Sequence, residues 1–370
     1  ALLGLLPNSA VSVEYHSLFG TQEDLMLLEV DDELLPEFLH RRLVALRGQI
    51  DEDAVLCTAS KTYAVKFVGS SNSVFLIPPS DEDDGRRRVV SVIKVASGCM
   101  ELVEVAPKLD ELKVLLSRNP YSFAEASEFN FPDEEECTRL GLFRWDDLVD
   151  RLQASDSELR MGLQSLSAIE IDGFWRMLDE DYMNSLVNIF LHNITLNDWS
   201  VNALIKDEVV AALQTDGFPR NISEHCFELY CSRVVDEGCM WKLNEKRVCV
   251  HLARETLKTG KMKKEMFMEK WSGKVPIGIS LSFDVLEGEV LIEKMGVETW
   301  VKLFSVSSLP SSPAERFARL FEERPKWDWK DLEPFVRDLK VPGLSSEGLL
   351  LKYTRRSQPS ADSEPAFSAR

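Results

Sequence analysis

Between residues 225 and 251 the sequence gathers His225, Cys226, Cys231, Cys239, Cys249 and His251, the side-chain types a zinc ion would use. Structural zinc takes four ligands, ordinarily delivered as closely spaced pairs. Here the gaps are irregular, and Cys249 and His251, two apart on an expected helix, face different ways. These thiols read as buried small hydrophobes, and no metal or other cofactor is expected. A phosphate-cradling loop needs G-x-x-x-x-G-K-[ST]. Gly260-Lys261 and Gly273-Lys274 lack both the upstream glycine and the following hydroxyl. "GLSSEG" (343–348) has the wrong spacing for a G-x-S-x-G elbow, and no histidine is followed by Glu as H-E-x-x-H requires. The acidic pairs Asp83-Asp84 and Glu134-Glu135 fall in polar loops as solvated charge. The chain reads as a non-enzyme. A hydrolase using scattered Cys and His would need a convergent pocket that no spacing suggests.

One further stretch could bind a charged ligand. "KTGKMKKEMFMEKWSGK" (258–274) holds six lysines in a chain of formal net charge −19. Lys258 and Lys261 flank the carboxyl end of an expected helix running from an Asn244 N-cap to Gly260. Lys270 and Lys274 border the next helix end, and the macrodipole favours cations at both places. Lys263 and Lys264 instead open a helix, where positive charge is mildly unfavourable and a bound anion could offset it. Lys258, Lys261, Lys263 and Lys264 are therefore the candidate DNA contacts. The expected recognition helices, "SELRMGLQSL", "NISEHCFELYCS" and "PIGISLSFDV", are apolar to acidic, with few of the Arg, Asn and Gln that read base edges. Any DNA contact would be local and to phosphates.

The elements that must position these residues divide at about Pro107. Before it, "DLMLLEV", "RLVALRG", "AVLCT", "KTYAVKFVG", "SNSVFLIP" and "RVVSVIKVA" read as short strands, with "PPSDEDDGRRR" as a solvated loop. In "KTYAVKFV" the alternation puts Tyr63, Val65 and Phe67 on one face. With few helices to cover them, such strands leave edges that invite pairing with another chain. Tyr63, Val65, Phe67, Phe75 and Ile77 are the candidate partner-binding residues. After Pro107 the pattern turns helical, broken by three acidic-Gly turns at Gly173, Gly238 and Gly288 that predict hairpins. Helix, helix, hairpin in series outlines tandem winged helices; three unrelated hairpins in an irregular α+β domain is the alternative. Trp175, Trp241 and Trp300 follow the hairpins and should pin each wing to its helices. Trp327 and Trp329 read as core anchors more readily than as a partner hot spot.

The expected fold class is α+β: an N-terminal β-barrel-type domain (1–106) completed by partner chains, then a helical linker (107–140). Winged helices follow at 141–195, 196–250 and 251–356, the last with C-terminal helices, then a disordered tail (357–370). Seven scattered cysteines with no C-x-x-C suit reduced thiols in the cytosol or nucleus. The opening "ALLGLLPNSA" is a poor signal peptide, the missing initiator Met suggests a trimmed chain, and no stretch is long and apolar enough to span a bilayer.

Four passages also carry a resemblance. "AVLCTASKTYAVKFVGSSNSVFLIP" (54–78), "VVDEGCMWKL" (234–243), "ERFARLFEERPKWDWKDLEPFVRDL" (315–339) and "LLLKYTRR" (349–356) resemble the defective in sister chromatid cohesion family, in order from about residue 20 to 356. The chain looks like a plant member of that family. The resemblance implies a nuclear, non-catalytic subunit of an alternative replication factor C complex that loads and unloads the sliding clamp. Its implied partners are the chromosome transmission fidelity subunits through a shared β-barrel module, the small replication factor C subunits indirectly, DNA polymerase epsilon and DNA. The family has no catalytic motif to carry over, and ATP hydrolysis would belong to other subunits. A stand-alone winged-helix transcriptional regulator is the alternative function; it predicts base-reading helices that the sequence does not supply.

Overall fold

The computed structural model describes residues 12–20, 25–39, 44–77, 89–123, 137, 139–234, 240–339, 341, 343–358 and 364–370. The chain forms two compact units, one of Ala1–Pro107 with Gln153–Glu158 and one of Lys108–Leu152 with Leu159–Arg370.

Unit 1 contains β1 (Ser12–Tyr15), α1 (Leu35–Leu39), β2 (Ala45–Arg47), β3 (Val55–Cys57), β4 (Thr62–Leu76), β5 (Val89–Val92) and β6 (Lys94–Val105). Strands β2-β3-β4-β6 form one open sheet, and β1 pairs β5 in parallel. Among the described residues no barrel closes. Two expected strands, "KTYAVKFVG" and "SNSVFLIP", are one fifteen-residue strand, interrupted in register only between Gly69 and Val74. "DLMLLEV" is not a strand in its described residues; Leu28 makes only an isolated bridge to Met100. A small apolar core of Leu34, Leu56 and Tyr63, with Phe38, Val65 and Leu102 against it, lies at one end of the sheet. There the β-branched and aromatic residues find cover, so alternation turns into burial. Residues 153–158 are tied in by polar bonds. Thr62 Oγ1 donates to Glu158 at 2.6 Å, Ser155 N–H donates to Thr62 Oγ1 at 3.0 Å, and Arg47 pairs with Asp156.

Unit 2 carries four variants of one plan: helix, short strand or bridge, helix, then a helix or 3-10 turn and two strands, with the first strand or bridge paired to the last strand. The first copy has α2 (Asp110–Leu116), a bridge at Phe143, α3 (Trp145–Arg151), α4 (Asp156–Ser165, in unit 2 from Leu159), β7 (Ile169–Ile171) and β8 (Phe174–Arg176). The second has α5 (Glu180–Leu196), β9 (Leu204–Ile205), α6 (Lys206–Thr215), α7 (Arg220–Tyr230), β10 (Cys231–Arg233) and β11 (Met240–Leu243). The third has α8 (Glu245–Leu257), β12 (Met262–Lys263), α9 (Lys264–Ser272), a 3-10 turn (Phe283–Leu286), β13 (Val290–Met295) and β14 (Glu298–Leu303). The fourth has α10 (Pro313–Glu323), β15 (Lys326–Asp328), α11 (Trp329–Val336), α12 (Ser346–Tyr353), β16 (Thr354–Ser357) and β17 (Ala366–Ala369). The sheet orders β10-β11-β9, β12-β14-β13 and β15-β17-β16 are the same order each time.

The repeat has a side-chain signature. An aromatic on the last strand lies directly opposite the first: Trp175 opposite Phe143, Trp241 opposite Leu204, Trp300 opposite Lys263, Phe367 opposite Trp327. Large rings at one cross-strand position fasten the two edges together. Trp175 and Trp241 thus serve the sheet itself as well as the helical cores they pack against, whereas Trp300 is placed by its strand pairing.

Several expectations are corrected. Residues 364–370 are not a disordered tail: β17 is the middle strand of its sheet, and Ala366 and Phe367 are buried. Their apolar side chains are the reason, since a central strand has neighbours on both edges. Helix α2 is no bare linker, because Leu112, Leu115 and Leu116 pack with Leu148, Leu159 and Leu163. Helix α8 runs through the boundary expected between residues 250 and 251. The turn at Gly173 is as expected, with Asp172 and Gly173 both at positive φ (52° and 84°) as a type I′ hairpin requires. That at Gly238 falls outside the described residues, although β10 and β11 on either side do pair antiparallel. The third hairpin turns instead at Gly296 (φ 64°), between β13 and β14. Gly288 (φ 75°) follows the 3-10 turn, and a Cβ there would come within 3.1 Å of Val306 Cγ2.

Candidate functional site

The candidate partner surface is the half of the β4–β6 ribbon that outruns the unit 1 core. Burial along β4 falls off from Thr62 and Tyr63 toward Phe75 instead of alternating, because α1 and residues 28–38 cover only the near end of the sheet. Tyr63 is buried, so for it the expectation is corrected; Val65 is half-buried and packs against the same core. Further along, Phe67 is 57% and Phe75 50% exposed, with Ile77 exposed as well. Val68, Val74 and Val95 are exposed as well, so the two-stranded ribbon carries uncovered apolar side chains on both faces; the sequence reading left these three out although they lie in the same strands. Isolated exposed hydrophobes need no explanation, but a two-stranded ribbon with apolar side chains uncovered on both faces cannot bury them by itself and is a candidate interaction site.

The ribbon's backbone is also unfinished. Strand β3 pairs β4 only as far as Ala64, and among the described residues no strand pairs that edge beyond it. Gly98 and Gly69 face each other across the ribbon. A Cβ at Gly98 would run into the Val68 carbonyl oxygen and lie 2.9 Å from Gly69 Cα. A glycine therefore lets two strands approach where the register shifts.

The basic stretch is a different surface in unit 2. Helix α8 starts as expected, with Asn244 Oδ1 accepting from Arg247 N–H at 3.0 Å. The structure then supplies each candidate lysine with a partner from the chain. Lys258 meets Asp181 at 2.6 Å and Glu180 at 3.5 Å. Lys261 lies 3.6 Å from Glu293 and over the Trp300 ring, and Lys263 pairs with Glu298 across the β12–β14 ladder. Lys264 sits over Phe283, its ammonium 4.8 Å from the ring centroid. The bond to Asp181 holds Lys258 above the ordinary lysine range, and the bond from Lys263 lowers Glu298. Three of the four lysines are therefore neutralised locally, and the anion offsetting Lys263 at the start of α9 is Glu298.

Among the described residues His225, Cys226, Cys231, Cys249 and His251 do not gather as a ligand cluster. Cys226, Cys231 and Cys249 are buried in the main apolar core of unit 2, where burial raises all three thiols, Cys226 to about 12. His225 Nε2 meets the Ser167 carbonyl at 2.9 Å, and His251 Nδ1 meets Tyr230 Oη at 3.0 Å. Burial lowers His251 to about 4, so its ring is neutral at physiological pH. Cys239 lies outside the described residues. Among the described residues no helix is long and apolar enough to cross a membrane.

Comparison with known proteins agrees with the order of these features. The family described as "Sister chromatid cohesion protein Dcc1" matches residues 25–336, from the unit 1 strands into α11. The chain is 32% identical over 346 residues to sister chromatid cohesion protein DCC1 of Homo sapiens, covering 90% of this chain and 86% of the relative. It is 33% identical over 362 residues to the Danio rerio protein of that name (93% and 90%). It is 29% identical over 360 residues to the probable sister chromatid cohesion protein DCC1 of Dictyostelium discoideum (90% and 90%). With the family match running from residue 25 to 336 and relatives of 32% and 33% identity covered to 86% and 90% of their length, the chain belongs to the Dcc1 family of sister chromatid cohesion proteins.

Proposed function

We propose that this protein is a non-catalytic subunit of an alternative replication factor C clamp loader, acting in the nucleus in DNA replication and sister chromatid cohesion. In this reading unit 1 is one part of a β-barrel that the chromosome transmission fidelity subunits complete. The four copies in unit 2 are winged-helix modules that link the loader to DNA polymerase epsilon and to DNA; the small replication factor C subunits are reached through the other subunits. The observation that carries the reading is the open ribbon, where an unpaired β4 edge and exposed Phe67 and Phe75 lie together. An edge supplies main-chain hydrogen bonds for strand addition, and flanking apolar side chains supply buried area.

The test is co-expression with the chromosome transmission fidelity subunits. Phe67→Asp with Phe75→Asp should weaken association by about 3 kcal/mol, more than a hundredfold in Kd. The circular dichroism spectrum should be unchanged, because both side chains are exposed. Wild-type recovery of the partners by the double variant would overturn the assignment of this surface.

DNA contact through Lys258, Lys261, Lys263 and Lys264 is the lesser part of the proposal, because three of these lysines must exchange carboxylates for phosphates. Lys263→Glu with Lys264→Glu should flatten the slope of log affinity against log salt by about 1.8. An unchanged slope would remove these residues from the DNA contact.

A further inference from the structure

We propose that a groove in unit 2 of about 1460 Å³ is a docking site for an acidic, partly apolar peptide segment of a partner protein. Its charge is the first observation. The whole chain has 43 Lys and Arg against 62 Asp and Glu, yet the groove is lined by eight basic and five acidic side chains. Lys258, Lys261 and Arg319 of this set pair with Asp181, Glu293 and Glu322, which are not in the lining, so the attraction for negative charge rests on the cations that lack such a partner. Three of the lining cations, Lys113, Lys246 and Arg247, have no carboxylate partner among the described residues; Lys113 donates to the Ser307 carbonyl and Arg247 to Ser167 Oγ. Those two bonds hold the side chains in place without neutralising them. Arg247 can present its guanidinium fork to a carboxylate.

The shape and lining select among anionic ligands. Clefts for small molecules run to about 1,000 Å³, so this groove suits something longer. A duplex is convex and is usually entered by a protruding helix or wing, whereas this surface is concave. Its walls also include Glu180, Glu255 and Glu289, which would repel an unbroken line of phosphates. A single strand would need exposed aromatic platforms. The lining aromatics, Tyr230 and Phe304, are both buried, and Tyr230 is engaged by His251. A peptide places its carboxylates on separate flexible side chains, which can alternate with the groove's own acids while apolar neighbours meet Met183 and Val250.

The experiment uses the full chain and a fluorescein-labelled peptide of alternating Glu and Leu, followed by polarisation, with the matching Gln and Leu peptide as control. The acidic peptide should bind in a salt-dependent way and the control should not. Lys246→Glu with Arg247→Glu on α8, and separately Lys113→Glu on α2, should each weaken binding about tenfold or more. Lys352→Glu on α12, outside the groove lining, should leave it unchanged. Equal binding of the Gln peptide, equal loss in the Lys352 variant, or no binding to the folded wild-type chain overturns the proposal. An oligonucleotide that binds and loses affinity in the groove variants while the peptide does not would also overturn it and assign the groove to nucleic acid.

Discussion

Truncation after residue 363 is expected to unfold the fourth copy, residues 313–358. The lost strand β17 lies between β15 and β16, pairing Lys326, Trp327 and Asp328 on one edge and Thr354 to Ser357 on the other. Without it neither remaining strand has a neighbour, and both expose a row of backbone donors and acceptors. Phe367 also leaves a core built with Phe317, Leu320, Trp327, Leu332 and Phe335. Burying a phenylalanine of this kind is worth about 3–5 kcal/mol by itself, and a whole domain retains only about 5–15 kcal/mol. Phe367→Ala should therefore destabilise the copy by about 4 kcal/mol, and the truncation should remove its unfolding transition altogether. Limited proteolysis and urea titration monitored by tryptophan fluorescence would show both. A truncated chain with an unaltered titration would return residues 364–370 to the status of a tail.

Trp271→Ala is the second large effect expected, about 4 kcal/mol on the core of the second and third copies. The indole is fully buried, stacks on Phe267 with centroids 5.3 Å apart, and donates Nε1–H to the Cys249 carbonyl at 2.8 Å. That bond ties α9 to α8, so the substitution opens a cavity and releases a helix contact together. Trp271→Phe keeps most of the apolar volume and loses the hydrogen bond, for which about 1–2 kcal/mol is expected. The comparison is the informative measurement. Equal losses in the two variants would mean that the bond, and not the packing, holds the helices together.

Much of this architecture was legible where a residue's chemistry is local. Asp172-Gly173 announces its turn because only such a pair accepts positive φ at both positions. Asn244 and Gly260 bracket α8 for equally local reasons. Gly288 misled because positive φ is a property of one residue and does not say which strands it joins. The fourth copy escaped notice because no acidic-Gly pair joins β16 to β17, and Phe367 stands where the other copies carry Trp. The candidate surfaces show a different limit. Alternation along β4 sorted its side chains into two faces, but how far the covering segment extends is a tertiary fact, and it separates Tyr63 from Phe67. Likewise the lysine spacing revealed charge, while Asp181, Glu293 and Glu298 arrive from distant segments that spacing cannot see.

The strand order in unit 2 has a consequence for synthesis. In each copy the strand made last inserts beside the strand made first, so no sheet can be completed until its whole copy has left the ribosome. The segments enclosed are short, from Leu204 to Trp241 or from Met262 to Val301, which keeps closure fast. Vectorial emergence would thus assemble the copies one after another, each sealed before its successor is translated. A translational pause before β17 would leave only the fourth unsealed.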